Sequence, residues 1–462
     1  MPVFTRRLAV DVPAERLFAW HDHRGAFNRL TPPWQPVRLE QFEGIRDGQR
    51  AEIKLGPGPV ALTWVAEHFG FAEGRQFNDR QVRGPFAAWT HAHRMLPDGP
   101  ARSTLEDHVE YRLPLAPLSN LARGFARSEI DRLFAYRHRV TREDLARHAA
   151  YDLAPQTIAL TGSTGLLGEA LVAFLTTGGH RVVRLVRSPE AVARYADRAD
   201  ETAAYWSPKR GTMDAAALEG VDAVIHLAGE NVFGLRWSEA KKQRILESRR
   251  QGTRLLAETL AGLDRPPRTL LSASASGFYG DQGDARVTEA DGSGEGFLAH
   301  VCRVWEAETA PAVEAGVRTV HLRIGLVLTP AGGFLGTMLP AFLLGLGGTV
   351  GSGETYLPWI ALDDVLYAML HLLAGEQRGP VNLGAPEPAT QRAYTRAMGR
   401  VLRRPTFLNV PAPLVRTAAG EVADEMALKS VRMLPEALVN SGFAFAYPDL
   451  EPALRHLLGR TA

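Results

Sequence analysis

Apolar positions along this chain change their spacing near residue 150. Before it, short β-rich runs recur: Phe4 to Val10, Arg50 to Leu55, Ala61 to Phe69, Arg75 to Val82, Ala87 to Met95 and Ser103 to Arg112. Turns such as Gly56-Pro57-Gly58-Pro59 and Pro97-Asp98-Gly99-Pro100 separate them, which predicts strands joined by tight connections. A short helix is expected after Pro13, burying Leu17, Phe18 and Trp20. A longer one is expected over about 121–146, where Leu121, Phe125, Ile130, Leu133 and Phe134 fall near helical spacing. Strand, short helices, antiparallel strands and a long helix predict an α+β helix-grip domain, able to enclose an apolar cavity.

After Tyr151-Asp152-Leu153-Ala154-Pro155 the pattern alternates strand and helix. Strands are expected at 157–161, 181–186, 222–228, 268–274 and 317–324, with a polar helix from Ser238 to Leu260. Alternation of this kind means a parallel, doubly wound Rossmann sheet. From about residue 376 the pattern turns α-rich and proline-punctuated, ending in a helix from Asp449 to Leu458. The expected domains are therefore 1–150, 156–375 and a small C-terminal domain at 376–462.

The most informative junction is Thr161-Gly-Ser-Thr-Gly-Leu-Leu-Gly168. A buried strand, Ile158 to Leu160, runs into Gly162, Gly165 and Gly168, and a helix carrying Ala170, Leu171, Phe174 and Leu175 starts at once. Glycine serves three purposes there: a tight turn, close approach of backbone N–H groups to a pyrophosphate, and close helix–strand packing. The turn residues Gly162, Ser163, Thr164, Gly165, Leu166, Leu167 and Gly168 are thus the expected dinucleotide contacts. An NAD-preferring site usually ends the next strand with Asp or Glu. This chain has Arg184 and Arg187 there, and its next acid is Glu190. A guanidinium holds a 2′-phosphate that a carboxylate repels, so NADP(H) is favoured with Arg187 as its ligand; a solvated strand-end arginine is the plainer alternative.

Composition narrows the function classes. A net charge of +2, spread without a basic stripe, does not indicate nucleic-acid binding. One cysteine, Cys302, rules out an intrachain disulfide framework and fits a reducing compartment, with a buried structural thiol as its simplest role. The N-terminus lacks a signal-peptide pattern, and the longest apolar candidate, Met338 to Leu346, is broken by Pro340 and glycines. A cytoplasmic protein with no membrane span is expected; its oligomeric state is not legible.

Several motifs in order make residues 156–458 resemble the extended short-chain dehydrogenase/reductase superfamily. They are the glycine turn, Asp222-Ala-Val-Ile-His-Leu-Ala-Gly229, Ser272-Ala-Ser-Ala-Ser-Gly-Phe-Tyr-Gly280 and Leu322-Arg-Ile-Gly-Leu-Val-Leu328. Arg236-Trp237-Ser238, Ser248-Arg249, Gly347 to Gly353, Trp359-Ile360 and Asp363-Asp364 resemble its atypical branch named for nucleoside-diphosphate-sugar epimerases. Asn409-Val-Pro411 and Gly442-Phe443 resemble that branch's C-terminal domain. The resemblance implies cofactor contacts at Leu227, Ala228, Gly229 and Arg323. It also implies a Tyr-x-x-x-Lys acid/base pair near residue 297, where this chain has Phe297 and Val301. A phenyl ring exchanges no proton and an isopropyl group holds no ribose hydroxyl. Ser274, Ser276 and Tyr279 are the candidate substitutes at the end of the fifth strand, with Tyr279 alternatively a packing residue. His300, Lys241 and Lys242 are further candidates whose plainer reading is a solvated helix face.

Residues 1–150 resemble the START-like (SRPBCC) polyketide cyclase/dehydrase and lipid-transport superfamily, through Phe18-Ala-Trp-His21, Leu30-Thr-Pro-Pro-Trp34, Gly84-Pro-Phe86 and Trp89-Thr-His-Ala-His93. Trp89, His91 and His93 share one strand face, and with Trp20, Trp64, His68 and Phe69 would line a cavity for an apolar ligand. No third ligand at convincing spacing accompanies the two histidines, so no metal is expected; Asp79, Asp107 and His108 read as cavity lining or strand surface. Two functions fit: an NADP(H)-dependent epimerase-like oxidoreductase acting on a small-molecule substrate, or a non-catalytic NADP(H)-binding regulator or scaffold.

Overall fold

The computed structural model describes residues 2–114, 123–195, 198–234 and 236–460. They form two units: residues up to Pro155 with Val172–His180, and Gln156–Leu171 with Arg181–Arg460.

The first unit is built on a seven-stranded antiparallel sheet. Its strands are β1 (Val3–Val10), β2 (Val37–Phe42), β3 (Arg50–Leu55), β4 (Leu62–Ala72), β5 (Gln76–Arg83), β6 (Ala88–Pro97) and β7 (Ser103–Arg112), in the order β1-β7-β6-β5-β4-β3-β2. Helices α1 (Ala14–Asp22) and α2 (Arg24–Leu30) lie between β1 and β2, and the 29-residue α3 (Arg123–Tyr151) follows the sheet. The expected helix start at Leu121 lies outside the described residues. Phe4, Trp89, Val109 and Tyr111 of the sheet cluster with Ile130 and Phe134 of α3. A second cluster joins Leu17, Phe18 and Trp20 of α1 to Phe77, Met95, Leu105 and Leu145. Fully burying each such side chain contributes about 1.5–3 kcal/mol, and together they bind α1 and α3 to one face of the sheet.

In the second unit β8 (Thr157–Thr161), β9 (Arg181–Val186), β10 (Glu201–Ser207), β12 (Ala223–His226) and β13 (Thr269–Ala275) pair in parallel, joined by strands Arg318–Ile324 and Gly379–Leu383. The order is β10-β9-β8-β12-β13, then Arg318–Ile324 and Gly379–Leu383, with the two-residue β11 (Thr212–Met213) antiparallel outside β10. The order reverses at β8, the switch point beside which doubly wound sheets bind ligands. Both faces are covered, so β8, β9 and β12 are almost wholly buried and mostly apolar. The polar helix Glu239–Ala261 starts where Ser238 caps it, its hydroxyl accepting from the Lys241 N–H at 3.2 Å.

The sequence pattern did not reveal three of the strands that are five or more residues long. β2 is an edge strand with a bulge between Leu39 and Gln41, which breaks its alternation. β10 mixes polar and aromatic residues without a regular period. Gly379–Leu383 lies in the stretch expected to be α-rich, past the boundary expected at 375. It is an edge strand, which is why Pro380 is tolerated in it.

Candidate dinucleotide site

The glycine turn joins β8 to α4 (Leu166–Thr177), and its three glycines serve different ends. Gly162 has φ +69°, and a Cβ there would lie 2.9 Å from the Leu227 carbonyl carbon. A Cβ on Gly168 would meet the Gly162 oxygen at 2.2 Å. These two let the turn close onto β12 and α4 onto the turn. Gly165 is exposed and a Cβ there would meet only the Gly162 oxygen, at 3.3 Å. Its outer face is open, as backbone approaching a pyrophosphate requires. Thr164 and Leu166 flank it and are exposed, whereas Ser163 is buried with its hydroxyl unpartnered among the described residues. The orphaned hydroxyl, the open glycine face and the positive helix end of α4 fit a dinucleotide phosphate.

A polar chain locks the turn after β12 onto the one after β8. Thr161 Oγ1 accepts from the N–H groups of Leu227 (3.1 Å) and Ala228 (3.2 Å). Its own proton goes to His226 Nδ1 at 2.7 Å, leaving Nε2–H for Thr253 Oγ1 at 3.0 Å. That arrangement needs a neutral imidazole, and burial lowers the His226 pKa to about 3. Gly229 lies against Arg249, whose guanidinium donates to the Glu230 and Ile245 carbonyls and lies over Trp305.

The two arginines after β8 part company. Arg184 is 2% exposed; it donates to Glu201 at 2.7 Å, to both Glu169 oxygens at 3.2 Å and to the Ser163 carbonyl at 2.7 Å. It fastens the turn from beneath, with four of its five N–H groups engaged. Arg187, just past the end of β9, is exposed and makes no hydrogen bond or ion pair among the described residues.

The fifth-strand candidates also separate. Ser274 donates to Glu306 Oε1 at 2.6 Å, and Glu306 pairs with Arg323 at 3.0 Å through both oxygens. Arg323 donates to the Tyr279 hydroxyl at 3.0 Å and lies 3.4 Å from the Phe278 ring centre. The Tyr279 hydroxyl lies 2.7 Å from Asn382 Oδ1 and 2.9 Å from the Thr288 carbonyl, and burial pushes its pKa up. Ser274, Glu306, Arg323 and Tyr279 thus form one buried network facing inward. Ser276 is half-buried and its hydroxyl makes no hydrogen bond among the described residues.

On helix Phe297–Ala307, Val301 is buried and Phe297 packs edge-on against Trp237 with the Lys242 ammonium 5.0 Å from its centre. His300 is exposed; Lys241 pairs with Glu230, and Lys242 with Glu421. Sequence reasoning missed Glu425, whose carboxylate accepts from the N–H groups of Phe297 and Leu298 while pairing with Lys429. No local signal marks it, because 128 residues separate it from the helix it caps. Trp359 and Asp363-Asp364 anchor the C-terminal segment. Trp359 is 1% exposed, His456 reaches Asp363 at 2.8 Å, and Asp364 accepts from Ala446 and Tyr447 N–H groups. Cys302 is buried, and burial pushes its thiol up to about 11.

A parallel sheet with this turn at its switch point defines a dinucleotide-binding α/β protein. The profile of the NAD dependent epimerase/dehydratase family matches residues 158–384, and that of a domain of unknown function, DUF1731, matches 410–457. An epimerase family protein of Mycobacterium tuberculosis is 42% identical over 67% of this chain and 99% of its own. The chain belongs to this epimerase family. A crystal structure of a nucleoside-diphosphate sugar epimerase from Corynebacterium glutamicum is similar over 99% of this chain and 90% of its own, with 34% identity and TM-score 0.81. Human epimerase family protein SDR39U1 (isoform 2), solved with NADPH, covers 66% of this chain and all of its own, with 29% identity and TM-score 0.59. Among the described residues no helix is long and apolar enough to cross a membrane.

Proposed function

We propose that the second unit binds NADP(H) across the glycine turn and works as an atypical epimerase-like oxidoreductase on a small molecule. The observation that carries the cofactor choice is the contrast between the two arginines. Arg184 is spent on Glu169, Glu201 and Ser163, while Arg187 stands exposed where a 2′-phosphate would meet it. The NADPH held by the human relative supports this choice. The turn residues Gly162 to Gly168 hold the pyrophosphate, Ser163 offers its orphaned hydroxyl, and Leu227, Ala228 and Gly229 line the opposite side. When bound, the nicotinamide supplies or accepts a hydride. Ser276, with a hydroxyl not committed elsewhere, is the group that polarises a substrate carbonyl. Arg323 and Tyr279 position the strand end on which it stands.

The first unit is read as a START-like (SRPBCC) helix-grip domain holding an apolar ligand. Two helices between β1 and β2 and a long helix on the sheet support that reading. The three-domain division and a cytoplasmic setting, suggested by a lone buried cysteine, belong to the same proposal. A non-catalytic NADP(H)-binding regulator is the second reading. Phe297 and buried Val301, at the positions of the acid/base pair, favour it.

Substituting Arg187→Glu tests the cofactor assignment. Losing one charge-assisted contact and gaining a repulsion weakens NADPH by roughly tenfold to a hundredfold, with NADH little changed, by fluorescence titration. Equal losses for both cofactors refute it. Oxidation of NADPH across a range of carbonyl compounds separates the enzyme from the regulator.

A further inference from the structure

The first unit contains a buried histidine–aspartate cluster that the dinucleotide site does not use. His91 and His93 lie two apart on β6 and share a face with buried Trp89 and Met95. On β5 Asp79 pairs directly across from His91, and on β7 Asp107 pairs directly across from His93. Sequence spacing alone concealed this, because the carboxylates lie on neighbouring strands rather than near the histidines in the chain. His108 belongs to the other face, where its ring meets Thr5. Phe69 also faces away, beneath the Arg80 guanidinium, although His68 next to it is buried.

The orientation of the two rings carries the argument. His91 Nδ1 lies 3.4 Å and His93 Nε2 3.8 Å from the same oxygen, Asp79 Oδ2. The far nitrogens, His91 Nε2 and His93 Nδ1, lie 3.0 and 2.9 Å from another single oxygen, Asp107 Oδ1. His138 of α3 reaches the second Asp107 oxygen at 2.6 Å. Each imidazole therefore shows one nitrogen to each carboxylate.

Protons satisfy this arrangement only at His91, which faces Asp107 at 3.0 Å and Asp79 at 3.4 Å. Charging both rings would set two imidazolium ions with centres 3.8 Å apart in a buried place. Left neutral, His93 has no hydrogen bond: its Nδ1 lacks hydrogen-bond direction to Asp107 and is an unpartnered buried atom, and 3.8 Å is too long for Nε2. Ligand atoms around a tetrahedral ion with bonds of about 2.0–2.2 Å lie roughly 3.3–3.6 Å apart. Asp79 Oδ2, His91 Nδ1 and His93 Nε2 all fall within 4.8 Å of one another.

We infer that Asp79, His91 and His93 form a site for a divalent transition-metal ion of the zinc, cobalt or iron class, with Asp107 orienting His91. The ion takes the Asp79 oxygen and the near nitrogen of each ring. The far nitrogen of His91 then keeps its proton and donates to Asp107, the carboxylate–histidine–metal arrangement, while the far nitrogen of His93 lies 2.9 Å from the same oxygen. Asp79 and Asp107 set two carboxylates around the histidine rings, so an added cation meets opposite charge there. Two nitrogens and one oxygen suit these metals and leave coordination positions for water or a ligand oxygen.

The test uses the full-length chain, stripped with chelator and dialysed, and Co2+ as the probe. Visible absorption and metal retained after gel filtration should saturate at one ion per chain, with Zn2+ displacing it. Asp79→Asn and His93→Ala should each weaken binding at least tenfold, and Asp107→Asn about 10–100-fold, whereas His108→Ala should leave it unchanged. Absence of saturable binding overturns the site, as does binding indifferent to the first two substitutions. Where a variant fails to fold, anomalous diffraction from the cobalt-loaded wild type decides. An ion among Asp79, His91 and His93 supports the site, and an ion elsewhere overturns it.

Discussion

Arg184 and Arg187 are three residues apart and have opposite fates. Arg184 points into the sheet, where Glu201 (8% exposed at the side chain) and the Ser163 carbonyl need a donor. Arg187 lies beyond the last buried residue of β9 and faces water. The sequence allowed either arginine at the strand end; only the partners of Arg184, 15 and 17 residues away, distinguish them. Breaking a buried ion pair outright costs about 3–5 kcal/mol; here Glu201 keeps Arg198 at 3.0 Å and Glu169 is 45% exposed, which brings the loss to about 1–3 kcal/mol. Arg184→Met should therefore lower the denaturation midpoint by that amount of stability and loosen the glycine turn, measured by urea unfolding. A loss below roughly 1 kcal/mol, the range of a surface pair, would contradict the fastening role. The same contrast separates Ser276 from Ser274 and Tyr279: neighbours in sequence, they differ in whether a buried partner has claimed the hydroxyl.

Strands with strong local signals were legible at the element scale. β3, β7, β8 and β9 begin and end where the apolar runs do. Elements whose identity depends on a neighbour were not: β2 needs its bulged pairing with β3, and Gly379–Leu383 is a strand because Arg318–Ile324 offers it an edge. The helix Phe297–Ala307 likewise starts under a carboxylate far along the chain. The joint between the turns after β8 and β12 rests on neutral His226, which gives it a pH dependence. The folded pKa of about 3 lies below the ordinary 6.5, so between those values the unfolded chain takes up a proton that the folded chain refuses. Its contribution to stability is intact above 6.5 and is lost as pH falls toward 3. Unfolding free energies at about pH 7 and about pH 5 should differ more for the wild type than for His226→Asn. An equal difference in both proteins would mean that His226 is not the titrating group.

At the scale of the whole molecule, the family is set by the glycine turn, the sheet order and relatives matching nearly their full length. The resemblance read from the sequence implies an acid/base pair at positions 297 and 301, where this chain has Phe297 and Val301. Val301 is buried, Phe297 packs on Trp237 beside the Lys242 ammonium, and the groups near the fifth strand are mostly tied into the Glu306–Arg323 network. Cofactor binding is thus the part of the function that the described residues support most directly, through Gly165, Ser163 and Arg187. Parallel titrations of the wild-type chain with NADPH and NADH test that claim. NADPH should bind at least tenfold more tightly, about 1.4 kcal/mol, and the preference should shrink as salt screens the exposed Arg187. Equal affinity for the two cofactors, or no saturable binding of either, would contradict it.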